Sequence, residues 1–437
     1  MPDPNRRWSV TPSTKGADRL YGAAIAVYTR AGVAPASLPA PLSPASAVSR
    51  PEAPTVTDLA STSDRLGALG LRRATLLVDP RRARANIARF AASARAAGVV
   101  LRPHFKTHQS AAVAAWFRDA GIDRATVSSV AQAAYFADAG WDDLTLAIPA
   151  NPREVADYDA LAARIRLHLL ADHARTVDAL ASGLSRRTSV WVEVDPGYGR
   201  TGVPWHDSAR LVELVRRIAA SGRLDYAGLL SHAGQSYAAR TANAAAAVFD
   251  VTLHRLRQAR SALGEAGLAG GLLSAGDTPG FAASPDWTGL DEARPGNFVF
   301  YDLMQLAAGI CAESDLACAV ACPVIGVYPD RGEAALHAGA AHLSRENLAR
   351  GRTEEFGRLI TLDENGFASL VAGWSVSRLS QEHGLLSARG ESARAQLAKL
   401  EPGDLVLVVP VHACLACEQF ASYRTIDGGE LPRLRRL

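Results

Sequence analysis

From Arg73 to about residue 274 the chain alternates between short, β-branched apolar runs and longer segments rich in Ala, Arg and Leu. Nothing else in the sequence restricts the fold as much. The apolar runs fall at 75–79, 99–102, 125–128, 144–148, 166–170, 189–194, 226–231 and 271–274. Each is too short for a helix and reads as a strand. The segments after the first seven have helical spacing; over 81–97, Ile87, Phe90 and Ala94 share one face. Strands joined by crossover helices build a parallel sheet. Eight of them in roughly 200 residues predict a closed (β/α)8 TIM barrel. An open doubly wound sheet has the same alternation, but no GxGxxG follows the first strand, which weakens a dinucleotide-binding version.

The rhythm changes after about Asp302. Strand-like runs at 319–327, 367–376 and 404–409 follow one another without long helices, and a helical stretch at 391–400 reads as an insertion. The sequence thus predicts a barrel over residues 71–302 and a mostly-β C-terminal domain over 303–437. Residues 1–70 read as an N-terminal extension; 34–57 is rich in Pro, Ala and Ser without periodicity, as linkers are. With 48% hydrophobic and 21% charged residues the 437-residue chain is globular in character. No apolar run reaches the ~18 residues of a membrane span. A net charge of +3 without a basic cluster argues against nucleic acid as a partner. Five cysteines are no disulfide framework, and the first ten residues lack a secretory apolar region, so cytoplasm is the expected compartment.

Only three of the 47 basic Lys and Arg residues are lysine: Lys15, Lys106 and Lys399. A lysine kept in such a chain invites a chemical reason, because an ammonium can lose its proton and attack while a guanidinium cannot. Lys15 and Lys399 sit in polar surroundings. Lys106 sits between two histidines in Pro103-His104-Phe105-Lys106-Thr107-His108, just past the second strand candidate. Barrel chemistry belongs at the C-terminal ends of strands. Polar residues and glycines gather at matching ends elsewhere: 195–202 (DPGYGRTG) after the sixth candidate, 231–237 (SHAGQSY) after the seventh and 274–280 (SAGDTPG) after the eighth. A structural role alone would scatter them over both ends. A lysine there can form a Schiff base with an aldehyde such as pyridoxal phosphate; the competing reading is an exposed ion-pairing lysine. The Gly276-Asp277-Thr278 turn can offer backbone N–H groups to a phosphate.

The late motif Pro410-Val411-His412-Ala413-Cys414 follows an apolar strand. In an extended chain His412 and Cys414 point the same way and can offer imidazole and thiolate to one divalent metal, zinc before others, leaving positions open. A structural zinc site built from Cys414-x-x-Cys417 and Cys318-x-x-x-Cys322 is the rival. Unreactive buried thiols are the plain reading of Cys311, Cys318 and Cys322.

Taken together, PHFKTH, DPGYGRTG, SHAGQSY, SAGDTP, RPGNFVFYD and the late HAC resemble, in that order and over about residues 73–430, one family. It is the fold-type III pyridoxal-phosphate enzymes of the D-serine dehydratase and D-threonine aldolase group, with an alanine-racemase-like barrel. The resemblance implies a homodimer acting on a small D-amino acid, with pyridoxal phosphate and a divalent metal, zinc or manganese. It implies that Lys106 holds the cofactor's aldehyde and that Gly276, Asp277 and Thr278 hold its phosphate. Arg200, with Arg294 as second choice, would contact the ring; Tyr198, His232 and Tyr237 would line the pocket, His232 beside Lys106 as a catalytic group. His412 and Cys414 would bind the metal. Family dehydratases carry His-x-Cys there and the aldolases tend to His-x-Asp, so Cys414 favours loss of water from a substrate such as D-serine over retro-aldol cleavage. A racemase and a non-catalytic cofactor carrier are the remaining readings. The chain departs from the family pattern at Gln109, usually Lys, at Gln132, often Glu, at Gln235, often His, at Ala74-Thr75, usually Thr-Pro, and over 415–420.

Overall fold

A computed structural model describes residues 59–284, 286–350 and 353–434. Two sheets organise them. The first is a run of eight parallel strands: Val100–Leu101, Glu292–Ala293, Leu272–Gly276, Leu224–His232, Thr188–Asp195, Arg166–Ala171, Asp143–Pro149 and Ala125–Val127 in spatial order. A parallel bridge between His104 and Thr126 joins the two ends, so the sheet closes into a barrel and the open-sheet alternative falls away. Helices wrap the outside. Pro80–Ala97 shows how locally they are encoded: Asp79 accepts from the N–H groups of Arg81 and Arg82, Pro80 opens the first turn, and Gly98 ends it at φ +66°. Ile87, Phe90 and Ala94 are its buried stripe, as their spacing predicts.

Strand register decides what lines the barrel. Paired residues in a parallel sheet share a face, and Leu170 pairs with Trp191, Glu193 with Leu230, Leu230 with Ser274, and Ser274 with Glu292. Leu170, Trp191 and Leu230 form a small apolar layer of their own. Around it the interior is charged. Arg294 donates to Ser274 Oγ and, at 2.7 Å, to the Ser231 carbonyl. Ser274 donates to Glu292 at 2.8 Å, and Arg102 bridges Glu292, at 2.6 Å, to Asp143. His168 Nε2 lies 3.1 Å from Asp143. Burial pushes the Asp143 carboxyl up, but the bond with His168 and the charge of Arg102 outweigh it and hold the group well below the usual carboxylate range.

The second sheet has ten strands, mostly antiparallel, with Cys318–Tyr328, Leu405–Pro410 and Gly357–Asp363 at its centre. Here the structure corrects the sequence reading. Thr75–Val78 is not a barrel strand; it pairs antiparallel with Cys318–Tyr328 and parallel with Ser422–Thr425. Val100–Leu101 is the first barrel strand, and the eighth is Glu292–Ala293, two residues that form no apolar run. The loop at 274–280 therefore follows the seventh barrel strand. Within the stretch assigned to the extension, Leu59–Ala68 is a helix laid on the second sheet: Thr62 Oγ accepts from the Leu362 N–H at 3.1 Å and Ser63 Oγ from that of Leu405 at 3.0 Å. The reading of 34–57 as a linker lies outside the described residues. Among the described residues no helix is long and apolar enough to cross a membrane.

Candidate active site

Lys106 owes its position to its neighbours. Phe105 is fully buried among Phe117, Phe136 and Trp141, with ring centroids 4.8–5.1 Å away, and His108 packs on it from the other side. With those rings fixed in the wall, Lys106 is held half-buried at the barrel mouth. Desolvation pulls its amine below the usual lysine pKa; the Cys414 charge works against that, and Arg200 and Arg294 add to it. A lysine so placed yields its proton more readily and becomes a nucleophile.

The neighbouring strand ends supply the rest. His232 Nδ1 is hydrogen-bonded to the Gly276 carbonyl, and desolvation, with Lys106 next, lowers its pKa to about 3, so its imidazole is neutral. Asp277 caps the helix Thr278–Ala283: its carboxylate accepts from Gly280 N–H at 2.6 Å and from Ser236 Oγ at 2.7 Å. That carboxylate is committed, so the turn can offer an anion only main-chain N–H groups and the Thr278 side chain. Tyr237 Oη accepts from the Thr278 N–H at 3.4 Å and sits at this helix start. Gly276 leaves no room for a side chain; a Cβ there would lie 3.0 Å from both Cβ and the carbonyl oxygen of Arg294. Tyr198 and Arg200 stand at the solvent edge, the guanidinium 5.5 Å from the Tyr198 ring, and Tyr198 meets His232 edge-on at 6.2 Å.

His412 and Cys414 come together by a route other than the extended chain expected from their spacing. The chain turns into a helix, Ala413–Glu418, directly after His412, which is its N-cap. Cys414 lies in the first turn, and its thiol and the His412 imidazole each shift the other's proton affinity. Burial pushes the Cys414 thiol up, but His412 overcomes it, with Thr107, 3.3 Å away, and Lys106 helping. His412 is driven the opposite way, to about 9: burial lowers it and the Cys414 thiolate more than compensates. The rival zinc site does not assemble. Cys417 pairs with Cys318, Cys322 donates to the Val320 carbonyl, and no three His, Cys, Asp or Glu gather as a metal site among the described residues.

The structure brings Lys106, His232, Arg294, Tyr237, Asp277, Thr278, His412 and Cys414 into one mouth. It adds residues not singled out from the sequence. Glu193, 4% exposed, accepts from Thr201 through one oxygen and leaves the other without a partner; burial raises it to about 7. Asn297 donates to Asp302 at 2.7 Å and to Cys414 Sγ at 3.6 Å, and Asp302 accepts from the Ala413 N–H at 2.9 Å. Both lie in the RPGNFVFYD motif, which was a visible signal. Glu193 had none beyond its place in a strand.

These groups fit two bound species. A desolvated amine beside a buried arginine, a glycine packed on that arginine and a capped helix start suit pyridoxal phosphate. A thiol of lowered pKa next to a half-buried imidazole whose Nδ1 has no partner suits a divalent cation. The fold and the site therefore define an alanine-racemase-like barrel that works through pyridoxal phosphate. Comparison with known proteins agrees. The model of the alanine racemase N-terminal domain matches residues 78–303, and that of a putative serine dehydratase domain matches 317–426. D-threo-3-hydroxyaspartate dehydratase of Delftia sp. (strain HT23) is 33% identical over 80% of this chain and 93% of its own, and its solved structure superposes with a TM-score of 0.77 over 84% and 99%. D-serine dehydratase of Dictyostelium discoideum is 25% identical over 76% and 87%. A D-threonine aldolase from Filomicrobium marinum, 23% identical, shares the fold with a TM-score of 0.70 over 83% and 94%. The chain belongs to the D-serine dehydratase group of fold-type III pyridoxal-phosphate enzymes, and is a pyridoxal-phosphate-dependent lyase.

Proposed function

We propose that the chain is a metal-assisted dehydratase of a small D-β-hydroxy amino acid, D-serine first among them. The observation that carries this reading is the nearness of two chemistries: Thr107, next to Lys106 in the chain, has its Oγ 3.3 Å from Cys414 Sγ, and the charge of Cys414 acts on the Lys106 amine. One group can thus act at Cα while another acts at the β-substituent. The relatives named for dehydration of D-serine and D-threo-3-hydroxyaspartate support it, and one solved structure of a D-threo-3-hydroxyaspartate dehydratase variant is a metal-free form.

Pyridoxal phosphate, when bound, supplies a sink for the electron pair left at Cα. Lys106 would hold it, with Arg294, Gly276, Thr278, Tyr237 and the main chain of Asp277 around it. Of the two arginines Arg294 is the better ring contact, being fixed by Ser274 and Ser231, while Arg200 stands exposed at the mouth. His412 and Cys414 would hold zinc, or manganese as second choice, a Lewis acid for the departing hydroxyl. Lys106, as the free amine, takes the Cα proton. His232, neutral, adds no charge beside it. With the proton taken from Cα and hydroxide lost from Cβ, one water leaves; hydrolysis of the resulting imine restores a water and gives a 2-oxo acid and ammonia. The barrel of 71–302 would thus hold the cofactor and the C-terminal part, 303–437, the metal. A homodimer in the cytoplasm completes the proposal.

Purified protein assayed with D-serine should release pyruvate and ammonia, and a chelator should abolish turnover. Lys106→Ala should lose at least ~10³-fold in turnover. Borohydride reduction and peptide mapping should place the pyridoxyl group on Lys106. Glycine and an aldehyde from D-threonine would make it an aldolase; a bound cofactor with no turnover on any D-β-hydroxy amino acid would make it a carrier.

A further inference from the structure

Gln109 holds a left-handed backbone, φ +46°, and is 2% exposed. A non-glycine residue persists there only where its surroundings over-determine it. Its surroundings do. The side-chain amide donates to the Lys106 carbonyl at 3.1 Å and to Glu418 Oε2 at 2.5 Å. Its carbonyl accepts from the Leu434 N–H at 2.8 Å. Glu418 lies one turn beyond Cys414 on the same short helix and forms an ion pair with Arg433 at 2.7 Å. Arg433, 8% exposed, also donates to the carbonyls of Phe420, at 2.9 Å, and Glu418, at 3.1 Å. The two residues before Gln109 repeat the pattern. Tyr423 Oη donates to the His108 carbonyl at 2.8 Å and to that of Cys417 at 3.3 Å, and Thr107 Oγ meets Cys414 Sγ. Every residue from Thr107 to Gln109 is therefore tied to 414–434, a segment more than 300 residues away in the chain.

We propose that Gln109, Glu418 and Arg433 form a clasp that locks the loop bearing Lys106 to the helix bearing Cys414, and so sets the amine relative to the Cys414 and His412 side chains. Gln109 and Arg433 are positioning residues: neither acts on a substrate. The carboxylate is the hinge of the arrangement, since one oxygen, Oε2, both accepts from the loop and pairs with the cation. A charge-assisted bond and an ion pair that share one half-shielded carboxylate are stiffer than either alone. The proposal rests on the reading of His412 and Cys414 as metal ligands, and its test separates the two.

In the zinc-loaded holoenzyme, native-state amide exchange should show the Gln109 N–H and the Ala416 and Gln419 N–H groups opening together. In Gln109→Ala and Arg433→Met they should open separately. Zinc release to a chelating dye should quicken by about tenfold in both variants, measured at the same interval below each variant's own melting temperature, and Arg433→Lys should lie nearer the wild type than Arg433→Met. Folded variants with unchanged release and exchange would overturn the clasp. So would wild-type loop and helix amides that exchange at unrelated rates, a measurement that decides the matter even where a variant does not fold. Failure of the wild-type chain to bind zinc would sink the metal reading, while exchange would still test the clasp.

Discussion

The barrel interior and the core of the second sheet are built on opposite principles. Arg102, Asp143, His168, Ser274, Glu292 and Arg294 line the one. Leu359, Ile360, Val406, Leu407 and Val408, all 0% exposed, fill the centre of the other. Burying aliphatic side chains is favourable in proportion to area. Burying ions costs several kcal/mol each in desolvation, only repaid by good pairing. The apolar sheet can therefore act as ballast, holding the Cys414 helix at the end of its central strand Leu405–Pro410. The charged interior gains little stability from its ions and instead holds Arg294 in one orientation below the mouth. Stability and site geometry are supplied by different regions.

Three changes bear on that contrast. The largest effect should come from Arg102→Met, which takes the cation from between Glu292 and Asp143, leaving Glu292 with Ser274 and Asp143 with His168 and Arg166. We expect a loss of ~3–5 kcal/mol by urea unfolding. A loss below ~1 kcal/mol would mean the interior is wetter than its burial indicates. Next, Leu407→Ala, between Ala321 and Ile360 in the sheet, should cost ~2–4 kcal/mol while kcat/KM of the folded fraction stays near wild type. A large fall in kcat/KM would show that the sheet shapes the site and is more than ballast.

The smallest effect concerns pH. Glu193 is an acid whose folded pKa is raised, to about 7, by burial. The folded state keeps that proton longer than the unfolded chain does. Its contribution is thus fully present below the ordinary carboxyl pKa and is lost as pH rises toward 7. Glu193→Gln, neutral at every pH, should remove that loss, flattening the fall in stability between about pH 4.5 and 7.5 by on the order of 1–3 kcal/mol. Parallel curves for variant and wild type would show that Glu193 is already ionised, paired with Arg200 or Arg294.

Much of the site was legible because its chemistry is local. Lys106 stood out through scarcity and strand-end placement, and PHFKTH, SAGDTPG and HAC are each contiguous. The pairing of His412 with Cys414 was foreseen for the wrong reason: an i, i+2 spacing suits an extended chain, whereas a helix start brings them together. Glu193 escaped attention as an isolated polar residue in a strand, and Asn297 and Asp302, though inside RPGNFVFYD, because the contacts that bring them to the site reach Cys414 and Ala413 on another element.

By itself the sequence determined the alternation, the helix caps such as Asp79 and Gly98, the strand ends that carry polar groups, and the lysine placed at one of them. These depend on neighbours within a few residues. Which sheet each strand joined was decided in three dimensions. Thr75–Val78 has the pattern of a barrel strand and pairs with Cys318–Tyr328; Glu292–Ala293 has no strand pattern and completes the barrel. A strand's local preferences are satisfied by any partner of matching register, so the choice falls to the packing of the whole. The same holds for Gln109, whose unusual backbone is secured in part by Glu418 and Leu434, residues that folding alone brings beside it.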